Sequence, residues 1–303
     1  MARELKPIEE QVMVITGASS GIGLATALAA ANKGAQLVIA ARSGDALVEI
    51  AARLTSKGAD VIAVTCDVAN RADHEKVAET AIKTFGRIDT WVNNAGVGMY
   101  GRLDVTDEAD ARRLFDINFW GVVHGSMVAL PYLRASRGVL INVGSEVSEA
   151  VAPLFGIYNA SKHAVKGFTD TLRLELEQVD DAELTITLVE PTAVDTPFPQ
   201  HACNYMDQEP KLPGSPIPPE QVAEAILEAA TEPTRVARVG ARSTINTVTA
   251  KIAPRLADKM AAKVVGELHY DEPPRRPEGV LYQPSGAGNV VGQTHGTGGR
   301  EVA

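Results

Sequence analysis

The chain has 303 residues, 45% of them hydrophobic and 22% charged, and a formal net charge of -9. That length is enough to bury one large α/β core, and the negative background field repels a polyanion, so nucleic acid is excluded as a partner. No stretch stays apolar for the ~20 residues of a bilayer span, so no membrane association is expected. Cys66 and Cys203 lie far apart with no Cys-x-x-Cys pair, which offers neither a disulfide framework nor a zinc site. A reducing, cytoplasmic location and no bound metal are expected. The first residues are charged where a leader peptide needs an apolar run.

After a segment over residues 1–10, short β-branched runs alternate with longer helical patterns. Strands are predicted over 12–16, 37–40, 61–64, 88–92, 138–143, 184–189 and 235–239. That alternation predicts an α/β fold, a doubly wound, seven-stranded parallel sheet of Rossmann type with helices on both faces. The dinucleotide-binding and catalytic domain is expected over 11–240. Residues 191–219 carry many prolines and read as a long loop over the active-site edge. A helical extension interrupted at Pro254 is expected over 241–269. The remainder, 270–303, is rich in Pro, Gly and Arg and is expected to be a flexible or surface-wrapping tail with too few apolar residues to pack a core.

The run Thr16-Gly-Ala-Ser-Ser-Gly-Ile-Gly23 leaves the first strand and opens the first helix. Gly17 permits a tight exit, Gly21 and Gly23 lack side chains where a pyrophosphate and the neighbouring strand approach, and the N–H groups of Ser19, Ser20 and Ile22 at the helix start face an anion. The same residues match a Gly-x-Ser-x-Gly nucleophile elbow, which would make Ser19 the nucleophile of a serine hydrolase. Such hydrolases build several strands before the elbow, and the partner histidine would have to be His269 or His295 in the tail. At the end of the second strand, Arg42 and Ser43 stand where an NAD enzyme usually carries an acid. Arg42 offers paired, charge-assisted hydrogen bonds to a 2′-phosphate, so NADP(H) is the expected cofactor.

Further landmarks follow in order: Cys66-Asp-Val68, Asn93-Asn-Ala-Gly96, Asn118, Ser145, Tyr158-Asn-Ala-Ser-Lys162, and Pro191 with Thr196. With the glycine-rich turn, they make the chain resemble the short-chain dehydrogenase/reductase family across about residues 11–240. The resemblance implies an oxidoreductase interconverting an alcohol and a ketone or aldehyde. It implies that Asp67 and Val68 bracket the adenine, that Asn94, Ala95 and Gly96 support the cofactor, and that Pro191, Val194 and Thr196 contact its nicotinamide end. It also implies a homodimer or homotetramer. The pattern departs from the family's where Thr192 replaces the glycine that usually follows the proline, and where Gly144-Ser145 replaces paired serines.

Tyr158 and Lys162 are four apart in a helical stretch, so both project from one face about 6 Å apart along the axis. An ammonium beside the phenol favours its phenolate form, which makes Tyr158 the acid/base. By resemblance, Lys162 also holds the nicotinamide ribose, Ser145 holds the substrate oxygen, and Asn118 orients a water that relays protons from Lys162. His163 points off this face, and the Asn159-Ala-Ser161 sequon is discounted because it lies inside the same helix. Phe198, His201, Tyr205 and Met206 point to a partly apolar pocket for a small-molecule carbonyl or alcohol substrate. A non-catalytic scaffold that only binds NADP(H) is the other reading.

Overall fold

The structure, a computed structural model, describes residues 5–180, 182–284 and 289–292. In chain order the elements begin β1 (Val12–Thr16), α1 (Gly21–Asn32), β2 (Gln36–Ala41), α2 (Gly44–Ser56), β3 (Val61–Thr65), α3 (Arg71–Phe85), β4 (Thr90–Asn93), β5 (Met99–Tyr100) and α4 (Glu108–Phe115). They continue with α5 (Gly121–Ser136), β6 (Val139–Val143), α6 (Gly156–Leu174), β7 (Thr185–Pro191), α7 (Phe198–His201), β8 (Cys203–Asn204), α8 (Pro219–Thr231), β9 (Val236–Val239), α9 (Ala241–Ile252) and α10 (Pro254–Val264).

Seven strands form one parallel sheet in the order β3-β2-β1-β4-β6-β7-β9. The direction of winding reverses between β1 and β4, and a crevice opens there at the carboxyl ends of the strands. Strands β1, β4 and β6 are buried along their whole length, as strands covered on both faces must be. Alternation sends Met13 and Ile15 to a core shared with α1, α2 and α8, and Val14 to the opposite core shared with α3, α5 and α6.

A buried polar chain fixes α6 against the sheet. The Trp91 indole N–H donates to Asn93 Oδ1 (2.8 Å), Asn93 Nδ2 donates to Asn142 Oδ1 (2.9 Å), and Asn142 Nδ2 donates to the Thr169 hydroxyl (2.9 Å). Thr169 in turn donates to the Val165 carbonyl (2.7 Å). Interior donors that give up water need such partners.

The structure corrects two expectations. The 191–219 segment is more than a loop: it contains α7, and β8 pairs in parallel with β5. The tail has apolar residues that pack, since Val280 and Leu281 join the α3–α5–α6 core and Val290 joins the opposite one. Residues 285–288 and 293–303 of that predicted tail, and residues 1–4 of the N-terminal segment, lie outside the described residues.

Replacing Asn142 by Leu removes two buried hydrogen bonds, leaving Asn93 with Ser126 and Val122 and Thr169 with Val165, and is expected to lower the unfolding free energy by about 1–3 kcal/mol. Urea unfolding measures it, and a loss below about 1 kcal/mol would show that the polar chain holds nothing in place.

Candidate active site

The glycine-rich turn is shaped by what lies behind it. Gly17 has φ +68° and Gly21 φ +53°, a backbone region that side chains disfavour. A Cβ on Gly17 would come within 2.7 Å of the Ala95 Cα, and one on Gly23 would strike the Gly17 carbonyl and the Asn94 amide. Asn94 Nδ2 donates to the Thr16 carbonyl (2.9 Å), and the Asn94 N–H donates to the Thr16 hydroxyl (3.1 Å). The turn after β4 therefore buttresses the turn after β1. In front of them is a cleft of about 180 Å³ whose walls include Gly17, Ser19, Ser20, Gly21, Ile22, Arg42, Ser43, Asp67, Val68, Asn94, Ala95, Gly96 and Thr196. Gly23 lies behind this wall as a packing residue.

A second cavity, of about 160 Å³, adjoins the cleft, since Ile22, Asn94, Gly96, Thr196 and Phe198 line both. Ser145, Tyr158, Lys162, Pro191 and Val194 complete it. Ser145 comes from the end of β6, while Tyr158 and Lys162 come from α6. Enclosure raises the Tyr158 phenol above its ordinary value, a hydrogen bond with Ser145 acts against this, and the Glu146 carboxylate adds to the rise. Burial lowers Lys162 to about 8. Its ammonium donates to the Val143 carbonyl (2.8 Å) and lies 5.8 Å from the centre of the Tyr158 ring. Enclosure is the largest influence on the phenol.

Asn118 is placed differently from the other three. It sits in a π-helical turn (Asp116–Trp120) between α4 and α5, wholly buried behind Gly96. Its amide donates to the Val97 carbonyl (2.9 Å) and to the Ser161 hydroxyl (3.2 Å), and its oxygen accepts from the Val97 N–H (2.9 Å). It supports the wall that carries Gly96 and α6 and does not line the cavity.

Sequence reasoning missed two contributions. Glu146, next to Ser145, lines the catalytic cavity, and burial raises its carboxyl although Asn246 and Thr192 donate to it. The described tail closes the Arg42 end of the cleft, where Val280 and Pro284 are wall residues. Arg42 donates to the Val280 carbonyl and to the Leu281 carbonyl (3.1 Å), and the Gly21 N–H donates to the Asn289 carbonyl (3.0 Å). Arg113 pairs with Asp67 (2.6 Å) beneath Leu281. The apolar pairs Val280-Leu281 and Val290-Val291 inside a polar tail were the signal for this packing. Of the loop residues, Phe198 meets the Tyr158 ring edge-on at 5.3 Å and His201 lines the cleft. Tyr205 turns away and donates to Asp110 (2.7 Å).

Taken together, the parallel sheet, the glycine-rich cleft at its switch point and the adjoining Ser, Tyr and Lys define a dinucleotide-binding oxidoreductase fold. Residues 11–204 match the family model described as short chain dehydrogenase. The chain is 45% identical over 285 residues, 92% of its length and 80% of the relative's, to an uncharacterized oxidoreductase, YxnA, of Bacillus subtilis (strain 168). It is 42% identical over 192 residues to 11-beta-hydroxysteroid dehydrogenase A of Sesamum indicum, covering 63% of this chain and 54% of that one. A solved short-chain dehydrogenase/reductase from Burkholderia phymatum, in complex with NAD, superposes with a TM-score of 0.74 at 29% identity, over 84% of this chain and 96% of that one. An alcohol dehydrogenase from the archaeon Thermococcus sibiricus, complexed with 5-hydroxy-NADP, gives 0.65 at 30% identity, over 76% and 94%. The chain belongs to the short-chain dehydrogenase/reductase family and is an oxidoreductase. That membership sets aside the serine-hydrolase reading. Of the histidines that reading needed, His269 is bridged to Pro210 and His295 lies outside the described residues.

If the tail walls the cleft, a chain ended after Arg276 should release bound dinucleotide about tenfold faster than the full chain. Stopped-flow fluorescence of the reduced nicotinamide reads this, and equal rates would remove the tail from the site.

Proposed function

We propose that the protein is an NADP(H)-dependent reductase of ketones or aldehydes, run in the reverse sense as an alcohol dehydrogenase, with Tyr158 as general acid/base. The observation that carries this reading is the meeting of Ser145, Tyr158 and Lys162 in one cavity that opens onto the dinucleotide cleft. The cleft fits a dinucleotide on its own features: positive-φ glycines at the start of α1, backbone donors there for a pyrophosphate, and a guanidinium at the adenosine end. When bound, the nicotinamide supplies the hydride.

In reduction, Ser145 donates to the carbonyl oxygen and holds it beside the phenol as negative charge develops there. Tyr158 transfers its proton to that oxygen as the C–H bond forms, and the resulting phenolate is stabilised by the Lys162 ammonium 5.8 Å from the ring. Lys162 would hold the nicotinamide ribose, and Asn118 would act from behind by fixing the wall on which α6 rests. Arg42 supports a preference for NADP(H), since the three N–H bonds left after the two tail carbonyls are satisfied can reach a 2′-phosphate. A cytoplasmic location is supported by two buried, unpaired cysteines whose thiols burial pushes up to about 12. Among the described residues no helix is long and apolar enough to cross a membrane.

The decisive experiment is Tyr158→Phe, which should cut carbonyl reduction by about 10²-fold or more while NADPH still binds. Wild-type protein that binds NADPH but reduces no carbonyl would favour the scaffold reading. Arg42→Ala should weaken NADPH by about tenfold or more and NADH far less, because only the former carries the phosphate. An equal effect on both would contradict the NADP(H) preference. Because burial lowers Lys162, its charge is lost as pH rises through about 8. The kcat/KM of reduction should therefore fall about tenfold per pH unit above that point, and a flat profile to high pH would remove Lys162 from the mechanism.

A further inference from the structure

Beyond the catalytic cavity is a hollow of about 320 Å³ that the reaction scheme leaves unused. Its floor is the segment after β6, with Val147, Ala150 and Ala152, and its roof is α9 and α10, with Ala250, Ala257 and Ala261. The two spaces meet at Glu146, Val147, Ala152 and Pro213, which line both. The roof lies outside the residues 11–204 that the family model matches, so it is a feature of this chain's extension.

The roof helices leave large apolar side chains on their outer face while Val264 packs inward. An amphipathic helix normally turns its large apolar residues inward. Here Ile245, Ile252 and Leu256 are 54%, 79% and 53% exposed, and α10 buries no residue. The roof lines the hollow with Asn246, Thr249 and Ala250 from α9 and with Ala257, Met260, Ala261 and Val264 from α10, where 257 and 261 are one helical turn apart. At Ala250, Ala257 and Ala261 the short side chains leave unfilled the space between roof and floor that larger ones would occupy. The catalytic cavity alone, at about 160 Å³, falls below the ~300 Å³ lower end of small-molecule sites. The adjoining hollow reaches that size by itself, and its walls are mostly apolar.

We propose that this hollow receives the remote, apolar part of an elongated alcohol or carbonyl substrate whose reacting oxygen sits at Ser145 and Tyr158. The proposal rests on the reductase reading for the reacting end. It is carried by the roof geometry for the remote end. The substrate class is then a long-chain or extended lipophilic aldehyde, ketone or alcohol, and a short one leaves most of the site filled with water.

The test compares butanal with decanal, using the full chain, NADPH, and two variants that fill the hollow from its roof, Ala257→Trp and Ala261→Trp. The wild type is expected to show a kcat/KM for decanal about 100-fold above that for butanal, from the extra methylenes buried. Each variant is expected to reduce that ratio by about tenfold or more, because the tryptophan displaces the chain. A ratio near one in the wild type, or a ratio that both variants leave unchanged, overturns the proposal. Calorimetric binding of decanol to the NADPH complex separates the two readings. Decanol bound by the wild type and lost in both variants, with no aldehyde reduced, supports the hollow and sinks the reductase chemistry. No decanol binding together with no chain-length preference sinks the hollow.

Discussion

Everything at the site depends on two backbone turns that touch. The exit from β1 and the exit from β4 approach so closely that Gly17 has no room for a Cβ beside Ala95, and Gly23 none beside Asn94. Asn94 then ties them with hydrogen bonds to the Thr16 carbonyl and the Thr16 hydroxyl. This contact straddles the switch point of the sheet, so it sets the depth of the cleft and points the start of α1 into it. Ile22 and Gly96, one on each turn, line both the dinucleotide cleft and the catalytic cavity. The same contact therefore registers the cofactor space against the reacting groups.

The second constraint is the buried polar chain from Trp91 through Asn93 and Asn142 to Thr169. It runs below the site and joins β4, β6 and α6, the elements that deliver Asn94, Ser145 and the Tyr158–Lys162 pair. Low polarity in this region makes the chain of hydrogen bonds stiff. Above it, burial raises the Tyr158 phenol and brings the Lys162 ammonium down to about 8. An acid beside a cation that titrates near physiological pH is the pairing that proton delivery to a carbonyl oxygen requires.

The sheet and the pairing of Tyr158 with Lys162 were legible in the sequence because their signals are local, β-branched runs, glycines at fixed offsets and a four-residue helical spacing, whereas Ser145 was reached only through the family resemblance. The balance of forces on Tyr158 was not legible. Spacing shows that Lys162 is near but says nothing of how deeply the phenol is enclosed by Phe155 and Phe198. The position of Asn118 was hidden for a similar reason, since a π-helical turn rotates its side chain onto Val97 and no residue pattern announces that turn. That the tail packs was not legible from composition, because its prolines and glycines outnumber Val280, Leu281 and Val290, the buried apolar residues that hold it. The extension reads from sequence as helix interrupted at Pro254, as observed, but only the structure tells which residues of α9 and α10 face the hollow.

The account stands on hydride transfer to a carbonyl carbon within this cavity. The most direct measurement is reduction of decanal with NADPH deuterated at the transferable position, followed by mass spectrometry of the alcohol. The account predicts decanol carrying one deuterium on its carbinol carbon, formed by the wild type and lost in Tyr158→Phe. Decanol without the label, or labelled product formed equally by that variant, would contradict it.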